Sequence, residues 1–260
     1  MSQRKATPRV DIDATRQRLL QLGLQAAAEQ IDALLEEAVK ADEAPHVVLD
    51  RLLQIESNTR EERRVRTSLR LSSLPAGQTL GNFDFAFQPS VERSRIETLS
   101  TCAWIRDKAS VLIQGPPGVG KTHLAISLGV KAVENGFSVA FFRLEELLAA
   151  LRTDAEHSPA SMRRKKYVNV ALLIIDEVGF EPMTRHDASL FFRLVSYRYG
   201  RGSVLITTNK GIKDWPELFA GDEVLATAIL DRLLHKSHVL NIKGRSYRLR
   251  DLDHDVSAHA

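Results

Sequence analysis

The 260-residue sequence predicts an α/β domain with a parallel sheet, preceded by a small all-helical domain. Three observations indicate this: helical spacing of apolar residues near the amino terminus, a cluster of chain-breaking residues after them, and short apolar strands alternating with helices from about residue 91 onward. Strand–helix alternation is typical of parallel sheets, because each parallel pair needs a crossover connection. We therefore expect a helical domain over residues 1–74, a linker over 75–90 and the α/β domain over 91–260.

The amino-terminal segment is predicted to be helical. From Asp13 to about Arg70, leucine, isoleucine, valine and alanine recur close to every 3.6 residues, the spacing of one helix face. We expect Gly23 to interrupt the first pair of helices and Pro45 to begin the next element. The breaker cluster at residues 72–77 then marks the predicted domain boundary.

The linker carries three aromatic residues, Phe83, Phe85 and Phe87, at alternate positions. An extended segment would place them on one face. They either pack against the core of the following domain or contact the base of a bound nucleotide.

Four strands are predicted in the second domain, at residues 111–113, 138–142, 170–175 and 204–207. The third is apolar on both faces, as a buried parallel strand requires. Helices are expected from Lys121 to Asn135 and from Asp187 to Tyr199. This alternation supports helices packed on both sides of the sheet.

Composition excludes several classes of protein. Hydrophobic residues make up 43% and charged residues 27%, which is ordinary for a globular chain. No apolar run approaches the roughly 20 residues that span a bilayer, and the amino terminus leads into no apolar stretch, so neither a membrane segment nor a signal peptide is expected. The single cysteine, Cys102, excludes an internal disulfide and favours a cytoplasmic setting.

One segment matches the phosphate-loop pattern G-x-x-x-x-G-K-[ST], between a predicted strand and a predicted helix. Its glycines allow a tight turn, and backbone N–H groups with the positive end of the helix cradle phosphates. Lysine reaches the terminal phosphates and threonine supplies a hydroxyl to Mg²⁺, so ATP and Mg²⁺ are the expected ligands. The residues are Gly115, Pro116, Pro117, Gly118, Val119, Gly120, Lys121 and Thr122.

Two further strand ends carry polar residues. Asp176 and Glu177 follow the third strand, at the edge where ligands of open α/β sheets bind. We expect Asp176 to hold Mg²⁺, directly or through water, and Glu177 to polarise the attacking water. Asn209 follows the fourth strand and is predicted to orient the water or sense the γ-phosphate.

The sequence resembles the IstB-type ATPases, helper proteins of bacterial insertion sequences within the AAA+ superfamily and close kin of the DnaC-type helicase loaders. The likeness runs from about Leu80 to Arg250, and the amino-terminal helices also fit. Four segments carry it: the phosphate loop with its two prolines, and residues 174–180, 206–209 and 229–235, which read IIDEVGF, ITTN and ILDRLLH.

The resemblance implies roles for several arginines. Arg232 corresponds to the arginine finger, which acts in the site of a neighbouring subunit and implies a homo-oligomer with shared ATP sites. Residues 244–250 resemble the closing strand of the family, where a second arginine senses nucleotide. Arg248 is the predicted sensor, with Arg245 and Arg250 as alternatives.

A basic run, Arg163, Arg164, Lys165 and Lys166, lies in an insertion between the second and third strands. Such a run either contacts DNA phosphates or forms a solvated face, and residue type alone does not choose between them. The resemblance favours DNA. Since the sequence contains no base-reading motif, we expect binding to duplex DNA that is largely independent of sequence.

These features lead to one preferred function and two alternatives. The preferred function is an ATP-dependent transposition helper that assembles on duplex DNA and recruits or activates a transposase, with the helical domain contacting a partner or DNA. The first alternative is a helicase loader that prefers single strands. The second is a P-loop kinase of a small molecule, which would leave the arginine-bearing helix around residues 226–236 unexplained.

Overall fold

The computed structural model describes residues 11–156 and 165–250. Their contacts divide the chain into two compact units that meet between Thr67 and Ser68. Each unit has its own buried apolar residues.

The first unit contains α1 (Ile12–Gln21), α2 (Gln25–Lys40) and the start of α3 (Pro45–Ser72). Gly23, with φ of +73°, separates the first two helices at the predicted position, and Pro45 begins the third. On α2, one face is buried and consists mainly of alanines with Ile31 and Leu34. At its first turn, the buried carboxylate of Glu56 accepts a hydrogen bond from the Ala27 amide (3.2 Å), satisfying a free helix N–H.

The second unit is built on a five-stranded parallel sheet, as predicted. Its strands are β1 (Ser110–Gln114), β2 (Val139–Arg143), β3 (Leu172–Val178), β4 (Ser203–Thr208) and β5 (Ser237–Asn241). The strand order is β2-β3-β4-β1-β5, and all neighbours are parallel. The central strands β3 and β4 are almost entirely buried, which explains their continuous apolar sequence.

The position of the last strand corrects one expectation. Residues 244–250 resemble a closing strand, but β5 lies earlier, at Ser237–Asn241, where it pairs with β1 over its whole length. The later segment instead forms a loop and a 3₁₀ turn, Tyr247–Leu249. It carries three arginines and a serine beside Tyr247 and Leu249 and has no run of apolar residues to bury, so it lies against the sheet end rather than inside the sheet.

Helices connect and cover the strands. Side-chain caps start two of them: Thr184 accepts a hydrogen bond from the Asp187 amide (3.2 Å), and Asp222 accepts one from the Leu225 amide (2.9 Å). In the part of the chain that the structure describes, no helix is both long enough and apolar enough to cross a membrane. The helices are α4 (Arg93–Ser100), α5 (Ala103–Arg106), α6 (Lys121–Glu134), α7 (Leu144–Ala155), α8 (Lys166–Asn169), α9 (Arg185–Arg198), α10 (Trp215–Leu218) and α11 (Glu223–Leu234).

The topology brings three loops together. Because β4 lies between β3 and β1 and all three are parallel, the segments that follow them emerge side by side at one edge of the sheet. The phosphate loop and Asn209 lie in these segments, and Asp176 and Glu177 lie near the end of β3 itself. The other edge, where the strands begin, is reached by the carboxyl end of α11, two residues before β5.

Candidate functional site

The phosphate loop joins β1 to α6 and depends on its glycines. Gly118 and Gly120 have φ of +80° and +95°, a conformation that disfavours side chains. Both are also crowded: a Cβ atom on Gly118 would lie 2.0 Å from Ser246 Oγ, and one on Gly120 would lie 2.7 Å from Phe83 Cε2. The loop is therefore held between the linker and the carboxy-terminal segment and leads into the start of α6, where backbone amides can meet an anion.

Lys121 is the first residue of α6 and is almost fully buried. Its ammonium donates to the Pro116 carbonyl oxygen (2.8 Å), so the side chain folds back across the loop. Burial lowers the pKa of Lys121, the nearby Asp176 carboxylate raises it, and Arg248 lowers it again. A phosphate group beside this ammonium would stabilise its charged form.

Asp176 ends the buried part of β3 and is 1% exposed. The Thr122 hydroxyl lies 3.0 Å from both of its carboxylate oxygens, and the Thr207 hydroxyl also donates to it. A hydroxyl and a carboxylate are the hard oxygen ligands that Mg²⁺ prefers. Since the described residues contain no cluster of three or more acidic, histidine or cysteine side chains, phosphate oxygens and water would complete the coordination. Thr122 and Asp176 therefore fit a Mg²⁺–nucleotide complex.

Glu177 has an unusual backbone. Its φ is +63°, and the β3–β4 register shifts between Ile175 and Val178, as at a β-bulge. Non-glycine residues in this region are strained and concentrate at functional sites. The side chain is 43% exposed, and Arg143 Nε lies 3.8 Å from its Oε2. Glu177 is thus turned away from the buried strand and can reach water, unlike Asp176 beside it.

Thr207 on β4 joins the two acidic residues, a role that the sequence did not reveal. Its hydroxyl donates to Asp176 and accepts the Glu177 amide hydrogen (3.0 Å). Thr207 is 1% exposed, so water cannot replace either bond. The only signal in the sequence is a polar residue at the end of an otherwise apolar strand.

Asn209 lies next to this site. A Cβ atom on Gly179, two residues after Glu177, would lie 2.9 Å from Asn209 Oδ1. This oxygen is buried and has no hydrogen-bond partner among the described residues. The predicted role in orienting water or sensing phosphate remains a prediction, and the free amide oxygen is compatible with it.

The three arginines near the carboxyl end differ in position. Arg248 lines a cavity of about 270 Å³ together with Lys121 and Thr122. Arg250 lies over the Tyr247 ring (4.4 Å), and the Arg245 backbone oxygen accepts a hydrogen bond from Gln88. Arg248 therefore has the surroundings that a nucleotide-sensing residue needs.

Arg232 lies far from this cavity. Its Nη1 donates to Ala228 O (2.6 Å), and its guanidinium carbon lies 4.9 Å from the centre of the Phe192 ring. It lines a different cavity, with Ser110 and Val204 at the starts of β1 and β4. The five residues of β1, at about 3.3 Å each, separate that edge from the phosphate loop. Arg232 therefore lies at the opposite edge of the sheet from the phosphate loop of its own chain.

The predicted DNA-contacting run is partly described. Arg163 and Arg164 lie outside the described residues. Lys165 forms an ion pair with Asp154 (2.6 Å), and Lys166 donates to the Leu71 carbonyl oxygen. Both ammonium groups therefore already have partners within the chain, and DNA phosphates would have to use their remaining N–H donors or replace these bonds.

Known proteins resemble the chain over most of its length. Residues 17–254 match the family model described as IstB-like ATP binding protein. A Pseudomonas aeruginosa protein named for insertion sequence IS21 and for ATP binding is 45% identical over 90% of this chain and 88% of its own. A Geobacillus stearothermophilus protein named likewise for IS5376 is 39% identical over 88% and 91% of the two chains.

The fold also has relatives of known structure. AMPPCP-bound DnaA from Aquifex aeolicus superimposes with a TM-score of 0.54 and 18% identity, over 72% of this chain and 56% of that one. At this identity the likeness concerns the fold alone.

Proposed function

The chain belongs to the IstB-like ATP-binding protein family, and we propose on that basis that it is an ATPase that helps an insertion sequence to transpose. The observation that carries this proposal is the high identity, over nearly the whole chain, to proteins named for insertion sequences. The arrangement of Thr122, Asp176 and Glu177 supports hydrolysis of the bound ATP.

In the proposed mechanism the two acidic residues have separate tasks. Asp176, buried and bonded to two hydroxyls, holds Mg²⁺ with Thr122. The metal, when bound, neutralises charge on the β- and γ-phosphates. Glu177, which is exposed to water, accepts a hydrogen bond from the attacking water and aligns it with the γ-phosphate, while Asn209 offers a second polar group. Lys121 releases Pro116 and binds the terminal phosphates.

We further propose that Arg232 completes the site of a neighbouring subunit. Its position at the opposite edge of the sheet from its own phosphate loop supports this. A guanidinium brought to the γ-phosphate in trans stabilises the charge that develops during transfer. Hydrolysis is then coupled to assembly.

The proposed partners are duplex DNA and a transposase. ATP promotes assembly on DNA, the assembly recruits the transposase, and hydrolysis releases or resets it. The helical domain over residues 1–74 would contact the transposase or DNA, and the segment at residues 163–166 would contact DNA phosphates without reading sequence. The linker over 75–90 joins these parts to the ATPase domain, and the reaction takes place in the cytoplasm, where ATP and chromosomal DNA are both present.

The proposal is tested by size-resolved light scattering of the full chain. Mass is measured with and without ATP, and with a short duplex or the corresponding single strand, at several salt concentrations. Lys121→Ala, which removes the phosphate-binding ammonium, serves as the nucleotide-binding control. We expect a large species that needs ATP, prefers duplex DNA and weakens with salt.

The outcomes separate the candidate functions. A preference for single strands would replace the transposition helper with a helicase loader. A monomer under every condition would remove the shared-site mechanism and the role of Arg232. Addition of purified transposase to the duplex-bound species then tests recruitment directly.

A further inference from the structure

We propose that the side-chain amide of Gln88 reads the base of the bound nucleotide and selects adenine over guanine. The inference rests on the proposed ATPase function for the nucleotide itself and adds the group that recognises its base.

The cavity beside the phosphate loop is where a base must lie. One wall consists of residues 118–123, which include the amides and side chains that would hold the phosphates. The rest of the lining includes Phe83, Gln88, Tyr247 and Arg248. A nucleotide with its phosphates on the loop therefore places its sugar and base in the remaining part of the same cavity.

Gln88 is buried, with 2% of its surface exposed. Its Nε2 donates to the Arg245 carbonyl oxygen (3.0 Å), and this bond fixes the orientation of the amide, because the reverse orientation would face one oxygen with another. The other end, Oε1, is a buried acceptor with no hydrogen-bond partner in the described residues. Buried acceptors are normally satisfied, so this oxygen lacks a donor that a ligand can supply.

The surroundings of Oε1 keep it in place. A Cβ atom on Gly244 would lie 2.8 Å from it, so a residue with a side chain there would displace the amide. Gly244 also has φ of +144°, a conformation that side chains rarely adopt. Gln78 Oε1 is a second buried acceptor without a partner in this cavity, but no hydrogen bond among the described residues fixes which end of its amide faces inward.

Base chemistry decides what this acceptor selects. Adenine carries an amino group at C6, a donor, whereas guanine carries a carbonyl oxygen there, an acceptor. The 6-amino group of adenine can donate a hydrogen bond to Gln88 Oε1. The 6-carbonyl oxygen of guanine would instead place a second acceptor beside this buried oxygen. Sites that hydrogen-bond a ligand group strongly reject analogues that lack it, so we expect a preference for ATP over GTP on the order of 10- to 100-fold.

The test compares the affinities of the full chain for three competitors of a fluorescent ATP analogue: ATP, GTP and purine riboside triphosphate, which lacks the 6-amino group. Wild type should bind ATP at least about tenfold more tightly than either of the others. In Gln88→Met, which keeps the length of the side chain and removes its polar atoms, the three affinities should converge to within about threefold.

Ser90→Ala is the matched control. Ser90 Oγ donates to the Lys243 carbonyl oxygen (2.7 Å) and accepts the Lys243 amide hydrogen (3.0 Å), so it ties the same two segments together. Ser90 is exposed and lies outside the cavity lining. This variant should keep the wild-type preference for ATP even if all affinities fall.

Three results would overturn the inference: equal affinity of wild type for ATP and GTP, equal affinity for ATP and purine riboside triphosphate, or loss of the preference in Ser90→Ala to the same extent as in Gln88→Met. The wild-type comparison decides the question even if Gln88→Met does not fold. Binding of none of the nucleotides would overturn the proposed ATPase as well, whereas equal binding of all three overturns only base recognition.

Discussion

Replacing Thr207 by valine removes the one hydroxyl that joins Asp176 to Glu177 while keeping the branched shape of the side chain. Two hydrogen bonds disappear, one to a carboxylate and one from a backbone amide. A bond to a charged group contributes about 1.5–3 kcal/mol and a neutral one about 0.5–1.5 kcal/mol, and burial prevents water from replacing them. The free energy of unfolding should therefore fall by about 2–4.5 kcal/mol.

The same substitution should impair hydrolysis. The amide of Glu177 is held by Thr207 in a strained conformation, and without this bond the carboxylate loses its fixed direction. We expect Tm to fall by roughly 4–18 °C, at about 2–4 °C per kcal/mol for a domain of this size. The kcat for ATP should fall on the order of tenfold or more, with little change in ATP affinity, because Lys121 and the loop amides are untouched.

Thr207→Ser is the matched control, since it keeps the hydroxyl and removes only a methyl group. It should retain most of the wild-type kcat and lose less stability than the valine variant. Thermal unfolding followed by circular dichroism and phosphate release under saturating ATP and DNA measure the two quantities. Wild-type hydrolysis in Thr207→Val, or an equal loss of kcat in Thr207→Ser, would refute the role given to this hydroxyl.

Substitutions of the charged residues separate binding, hydrolysis and folding. Glu177→Gln should bind ATP normally, hydrolyse it at least about a hundredfold more slowly and stay assembled on DNA; ordinary phosphate release in this variant would contradict its role. Arg232→Ala should lower the rate of hydrolysis on the order of a hundredfold without loss of ATP affinity. Mixing it with Lys121→Ala should restore some turnover, because a site with an intact Lys121 then receives Arg232 from the other variant. No recovery of turnover would argue against a shared site. The Arg152 hydrogen bond holds the pKa of Asp187 at about 2, below its ordinary 3.8, against the opposing effect of burial. This stabilisation is complete above pH 4 and is lost as pH falls through 2. The free energy of unfolding of Arg152→Ala should therefore be lower than that of wild type at pH 7, and the two values should converge near pH 2. A difference in free energy that does not change with pH would contradict this linkage.

The parts of the site that are continuous in sequence could be predicted. The phosphate loop needs glycines, lysine and threonine at fixed spacing, and Asp176 follows a buried strand directly, so local chemistry was sufficient. The alternation of strands and helices likewise predicts the parallel sheet, and the structure confirms it.

Contacts between distant segments could not be predicted in this way. Thr207 meets Asp176 only because β3 and β4 pair in one register, and Gln88 meets Arg245 across 157 residues. The resemblance predicts the closing strand at residues 244–250, and this prediction is wrong. The strand lies at residues 237–241, which are only half-buried at the edge of the sheet and carry a weak apolar pattern. In each case the deciding factor is the pairing of strands or loops, which residue type alone does not encode.

The separation of Arg232 from the phosphate loop has a consequence for enzyme kinetics. If Arg232 completes the site of a neighbouring subunit, as proposed, the donor and acceptor surfaces lie at opposite edges of the sheet and subunits would associate head to tail, so that an open row would end in one unused arginine and one incomplete site. A row of n subunits has n−1 complete sites, whereas a closed ring has n. Turnover per subunit would then depend on the length of the row, with a steep rise over the first few subunits followed by a plateau. The specific activity at saturating ATP would therefore measure how far polymerisation has proceeded.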